Sequence, residues 1–134
     1  MPLPSSFDYA VLRIVPRVER EEFLNAGVVL YCRARDFLGA RVHLDRPRLA
    51  ALAPDADAEA FEVHLATVVA TCRGGPGAGP LASLSQAERF HWLVAPRSTV
   101  VQVSPVHSGL CEDPQATLDE LVERLVLTDH PAKP

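Results

Sequence analysis

The spacing of apolar positions changes along the chain, and each change of period predicts a different element. From Asp8 to Val15 the residues alternate. Ala10, Leu12 and Ile14 share one side and Tyr9, Val11, Arg13 and Val15 the other, which predicts a strand closed by Pro16, a residue without the N–H a ladder needs. Arg17 to Glu22 is a charged stretch with the length of a helical turn. The continuous apolar run from Gly27 to Arg33 reads as a strand covered on both faces. Arg33-Ala-Arg-Asp36 is a hairpin connection to a third strand, Phe37 to Leu44. There Arg41 and His43 alternate with Ala40, Val42 and Leu44, so one face should be wet.

The period then lengthens. Asp57 can cap a helix in which Phe61, Leu65, Val68, Val69 and Cys72 recur at helical spacing until Gly74-Gly75 stops it. Gly74 to Pro80 reads as a flexible loop. Ser85 and Glu88 form a capping-box pattern that opens a short helix through Leu93, ended by Pro96. A fourth strand is expected from Ser98 to Ser104, followed by a loop from Pro105 to Glu112. Asp113-Pro114 then opens a last helix with Leu118, Leu121, Val122 and Leu125 as its apolar stripe. These elements predict an α+β fold, a mainly antiparallel sheet of about four strands with three helices packed on one side of it. Residues 1–134 are expected to form a single domain with frayed ends at about 1–6 and 128–134. Strand order is left open.

Composition narrows the class. No apolar run approaches the roughly 20 residues that cross a bilayer. The opening Met1-Pro-Leu-Pro-Ser-Ser has neither the basic nor the apolar region of a secretory signal, so a cytoplasmic location is expected, with no membrane partner. A net charge of −4 argues against duplex nucleic acid as the main partner, because that affinity needs dense Lys and Arg. Lys133 is the one lysine among 13 basic residues, which together with the abundant Ala and Pro points to GC-rich, bacterial codon usage. Cys32, Cys72 and Cys111 are odd in number and widely spaced, with no CxxC pair, so reduced thiols and no metal site are expected. Cys111, at the end of the predicted loop, is the cysteine to test for reactivity.

No phosphate-binding Gly-rich loop, GxSxG, HExxH or Cys-His zinc spacing occurs, and no cofactor is implied. Whether the chain is an enzyme stays open. The polar candidates are Arg13, Glu22, Asn25, Arg89, Trp92, Arg97, Ser98, Thr99, Gln102, Ser104 and His107. Arg97, Ser98 and Thr99 could hold a carboxylate or phosphate at a helix-to-strand turn, or could satisfy the backbone of that turn. His107, near Ser104 and Ser108, is a weak general-base candidate set against an ordinary hydrogen-bonded loop histidine. Arg13, among apolar strand residues, needs a counter-charge if its face is buried, and Glu19, Glu22 and Asn25 are the nearest candidates. Arg89, Phe90 and Trp92 offer a cation and aromatic surface, with Phe90 and Leu93 expected in the core.

In combination, Tyr9-x-Val11-x-Arg13-x-Val15-Pro16, Glu22-Phe23-x-Asn25-x-Gly27-Val28, Arg89-Phe90-x-Trp92-Leu93 and Pro96-Arg97-Ser98-Thr99-x-x-Gln102-x-Ser104-Pro105-x-His107-x-Gly109 resemble the bacterial domain-of-unknown-function family 3037. The resemblance covers nearly the whole chain and implies no established activity. It implies a possible protein partner, a kinase resembling the HipA toxin kinases. Two readings follow. One is a binding or regulatory module with a protein partner. The other is an enzyme or binding protein for a small anionic or phosphorylated ligand, acting through Arg13, Arg97, Ser98 and His107.

Overall fold

The structure, a computed structural model, describes residues 3–96 and 99–128. Strands β1 (Ser5–Ile14), β2 (Leu24–Cys32) and β3 (Phe37–Val42) form an antiparallel meander, extended on the far side of β1 by β4 (Val101–Val103) and β5 (His107–Cys111). Helices α1 (Arg46–Leu52), α2 (Ala58–Arg73) and α3 (Gln86–Leu93) follow β3, and α4 (Pro114–Leu125) follows β5.

The predicted split of β1 decides the layers. Ala10, Leu12 and Ile14 pack with Leu49 of α1, Phe61 and Leu65 of α2, and Phe90 and Leu93 of α3. The opposite face, through Phe7, Val28, Leu30 and Cys32, packs on Leu118, Leu121 and Val122 of α4. Helices therefore cover both faces, which corrects the expectation of one covered side. The physical reason lies in β2: Ala26 to Leu30 are all apolar or glycine and fully buried, so each face of that strand needs its own cover.

Four α-helices stand among the described residues, one more than expected. The additional helix, α1, is capped by Asp45, whose carboxylate accepts from the Arg48 N–H at 3.1 Å, and Pro47 sits in its first turn. The other caps match their sequence signatures. Asp57 caps α2, Ser85 and Glu88 form both bonds of the capping box on α3, and Asp113 caps α4 ahead of Pro114. Gly74 to Pro80, expected as a loop, falls mostly within a run of 3₁₀ turns, Gly75–Ser83. Ser5 and Ser6, expected in a frayed end, are strand residues paired with Cys111 and Leu110.

The largest correction concerns residues 105–112. Instead of a loop, His107–Cys111 is a strand that continues the pairing of β4 along the same edge of β1. Leu12 pairs with Val103 and Tyr9 with His107, so Ala10 and Val11 face Ser104, Pro105 and Val106 across a bulge. Ser104 holds this bulge together. Its N–H donates to the Val11 carbonyl at 2.9 Å. Its hydroxyl accepts from the Val11 N–H at 2.8 Å, in place of a backbone carbonyl, and donates to the Pro105 carbonyl at 2.9 Å. Ser104 is buried, so replacing it with Ala strands the Val11 N–H. Ser104→Ala is expected to lower unfolding free energy by about 1–3 kcal/mol. Urea denaturation would read this as a lower midpoint at unchanged slope, and an unchanged midpoint would refute the assignment.

Candidate functional site

The sequence candidates separate into three places. Arg13 lies on the α4 side of the sheet, paired across β1 with Asn25 on β2 and Gln102 on β4, so the three share one face in a row. Helix α4 crosses over β2 and β3 and covers Cys111 at the end of β5, leaving this face open around Arg13, Gln102 and His107, of which Arg13 and Gln102 are half-buried and His107 is exposed. The Arg13 guanidinium carbon stands 4.2 Å from the centroid of the Phe23 ring, a cation–π contact. Its Nε is buried and has no hydrogen-bond partner, and the same holds for Asn25 Oδ1. Asn25 Nδ2 donates to the Leu125 carbonyl at 3.1 Å, near the end of α4. Glu22, the expected counter-charge, instead pairs with Arg20. The Arg13–Glu22 pair is therefore absent, because a partner two residues away from Glu22 claims the carboxylate.

His107 lies further along the same open face, its ring 5.4 Å from that of Tyr9. Tyr9 and Arg13 are four residues apart on one strand, about 13 Å, so His107 and Arg13 share a face and not a pocket. Gly109 continues the row, and a Cβ there would fall 2.8 Å from Phe7, so the ring lies directly on its backbone. Ser108 donates to the Asp8 carboxylate at 2.6 Å on the opposite face.

Arg89 is buried, which corrects its expected role as a surface cation. Its Nη1 donates to the Leu84 carbonyl at 2.6 Å. The guanidinium also lies over Gly74, whose φ is +75° and where a Cβ would sit 3.3 Å from Nη2. Arg89 thus locks the end of α2 to the start of α3. Phe90 and Leu93 are core residues as expected, and Trp92 is 43% exposed. Arg97 and Ser98 lie outside the described residues. Thr99 donates through Oγ1 to the Val101 carbonyl at 2.6 Å, and Gln102 Nε2 donates to the Thr99 carbonyl at 2.8 Å. Both therefore tie down the turn into β4.

Trp92 belongs to the third place, a cleft of about 240 Å³ between α2, the end of α3 and β4. Leu12, Val68, Leu93, Val101 and Val103 make its walls apolar, with His64 and Thr67 among its polar residues. The Thr67 and Thr71 hydroxyls donate back to the Val63 and Thr67 carbonyls of their own helix, so those hydroxyls are already satisfied, and the candidates Thr99 and Gln102 also line the cleft. His64 and Thr67 were not singled out from the sequence. The available signal was that 64, 67, 68 and 71 recur at helical spacing beside the buried Phe61–Leu65 stripe. Among the described residues no group of His, Cys, Asp and Glu could hold a metal ion, and no helix is long and apolar enough to cross a membrane.

A family model described as a protein of unknown function (DUF3037) matches residues 9–126. No curated protein and no solved structure matches the chain.

The thiols form no site. All three cysteines are free and buried, including Cys111, which lies beneath α4 at the end of β5 and not at the end of a loop as expected. Burial pushes the Cys72 thiol up to about 12. Burial and the neighbouring Cys32 thiol raise Cys111 as well. At about pH 8 the Cys72 thiolate is then about one part in 10⁴ of the native protein. Ellman's reagent is expected to label none of the three in the folded protein and all three in denaturant. Rapid labelling of one thiol before unfolding would overturn this.

Proposed function

The chain belongs to the DUF3037 family of proteins of unknown function, and we propose that it acts as a binding module that takes an apolar segment of a protein partner into the cleft between α2, α3 and β4. The observation that carries this reading is an apolar cleft lying along an unpaired strand edge. Val11–Ser104 and Val15–Val100 are hydrogen-bonded across β1 and β4, and bonded pairs alternate in an antiparallel ladder. The N–H groups of Val101 and Val103 and the Val103 C=O therefore point to the outer edge, which no strand covers among the described residues, while the Val101 C=O accepts from the Thr99 hydroxyl. An extended segment could add its backbone to that edge and place alternate apolar side chains against Val68 and Leu93, with Trp92 at the rim. A kinase-like protein is the first partner to test, on the strength of the family resemblance.

The enzyme reading has less support. Arg13, His107 and the cleft occupy separate places, and Ser104 and Thr99 spend their hydroxyls on the backbone.

Thr67 is exposed and lines the cleft, so Thr67→Arg fills it without entering the core. A purified partner, first identified by co-isolation from the native host, is expected to bind Thr67→Arg, whose side chain occupies the cleft, and Trp92→Ala, which removes its one tryptophan contact, at least about tenfold more weakly, since interface tryptophans are among the residues that commonly carry 2 kcal/mol or more. Leu110→Ala, on the exposed face of β5 away from the cleft, should bind as the parent does. Wild-type affinity in both cleft variants, with circular dichroism unchanged, would refute the reading.

A further inference from the structure

We infer that Arg13 is the centre of a carboxylate-binding site on the open half of the sheet, distinct from the apolar cleft on the other face. The argument starts from charge. A guanidinium removed from water needs a counter-charge or acceptors, and the cost of leaving it without them grows with burial. Among the described residues Arg13 has neither an ion pair nor a hydrogen bond. Its one specific contact is the Phe23 ring, which orients the cation without neutralising it. Arg17, Arg20, Arg41, Arg46 and Arg124, all well exposed, do have carboxylate partners, whereas half-buried Arg13 does not. The nearby Glu22 is held by Arg20, and the Leu125 carbonyl accepts from Asn25.

The surroundings specify the ligand. Asn25 and Gln102 flank Arg13 in register, and their amide nitrogens already donate to Leu125 and Thr99. Neither amide hydrogen-bonds to Arg13, so the guanidinium's donors stay available to an incoming anion. Phe23, 47% exposed, adds an apolar flank. A planar carboxylate beside an apolar group matches the guanidinium fork and this ring together. Such a group comes either from a peptide C-terminus or from a small carboxylic acid.

The test is a titration at constant ionic strength, followed by the backbone amide signals of Arg13, Asn25 and Gln102 in nuclear magnetic resonance spectra. The probes are N-acetyl-Ala-Phe as the free acid, the same dipeptide as its C-terminal amide, isovalerate, and inorganic phosphate. Saturable shifts are expected with the free acid and not with the amide. Isovalerate binding as well as the free acid assigns a small-molecule source, and binding at least about tenfold more weakly assigns a peptide terminus. Arg13→Lys keeps the charge without the fork and should weaken binding several-fold. Arg13→Gln should abolish it. Equal shifts from acid and amide, binding of phosphate alone, or no saturable shift from any probe would overturn the proposal. If Arg13→Gln fails to fold, Arg13→Lys decides, because unchanged affinity there would also overturn it.

Discussion

The Val11 N–H donating to the Ser104 hydroxyl is the interaction on which the far edge of this sheet depends. A proline follows Ser104, and the segment must leave the ladder of β4 and rejoin β1 one register step later as β5. A backbone that did so without compensation would bury an unpaired N–H at the centre of the sheet. One serine side chain stands in for the missing carbonyl and is itself satisfied by donating to Pro105. The register step places Val101 and Val103 beside the apolar cleft and His107 beside Tyr9. Both neighbourhoods are thus set by the same bulge.

The electrostatics divide by burial. The ion pairs among the described residues are exposed and contribute little to stability, since solvent screens them and long side chains lose freedom in forming them. The inward guanidiniums behave differently. Arg89 finds a backbone carbonyl and a glycine that leaves it room, and so fastens two helices. Arg13 finds an aromatic ring and, among the described residues, neither an acceptor nor an anion. The same residue type is a fastener where the chain supplies its acceptor and a binding group where it does not.

The helices were legible because their signals are local. Asp57, Ser85 with Glu88, and Asp113 with Pro114 sit within one turn of the N–H groups they satisfy, so a short window of sequence contains cause and effect. Helix α1 escaped because Arg46-Pro47-Arg48 looks like a turn, and because its core contact rests on a single fully buried leucine, Leu49. The two-sided cover is legible in the continuous apolar run of β2, which needs a helix layer on each face.

The sequence by itself determined the alternation of β1, the capped helices, the α+β class and which polar residues were worth weighing. Only the tertiary structure decided that His107-Ser-Gly-Leu-Cys111 is strand and not loop, because its pairing partners, Tyr9 to Ser5, lie about a hundred residues away and outweigh its local breaker residue Gly109. The structure likewise decided that Glu22 serves Arg20 and that Arg13 stands between Asn25 and Gln102. Periodicity says which side of a strand a residue occupies, while its neighbours on that side depend on strand order and register, which follow from the packing of the whole sheet.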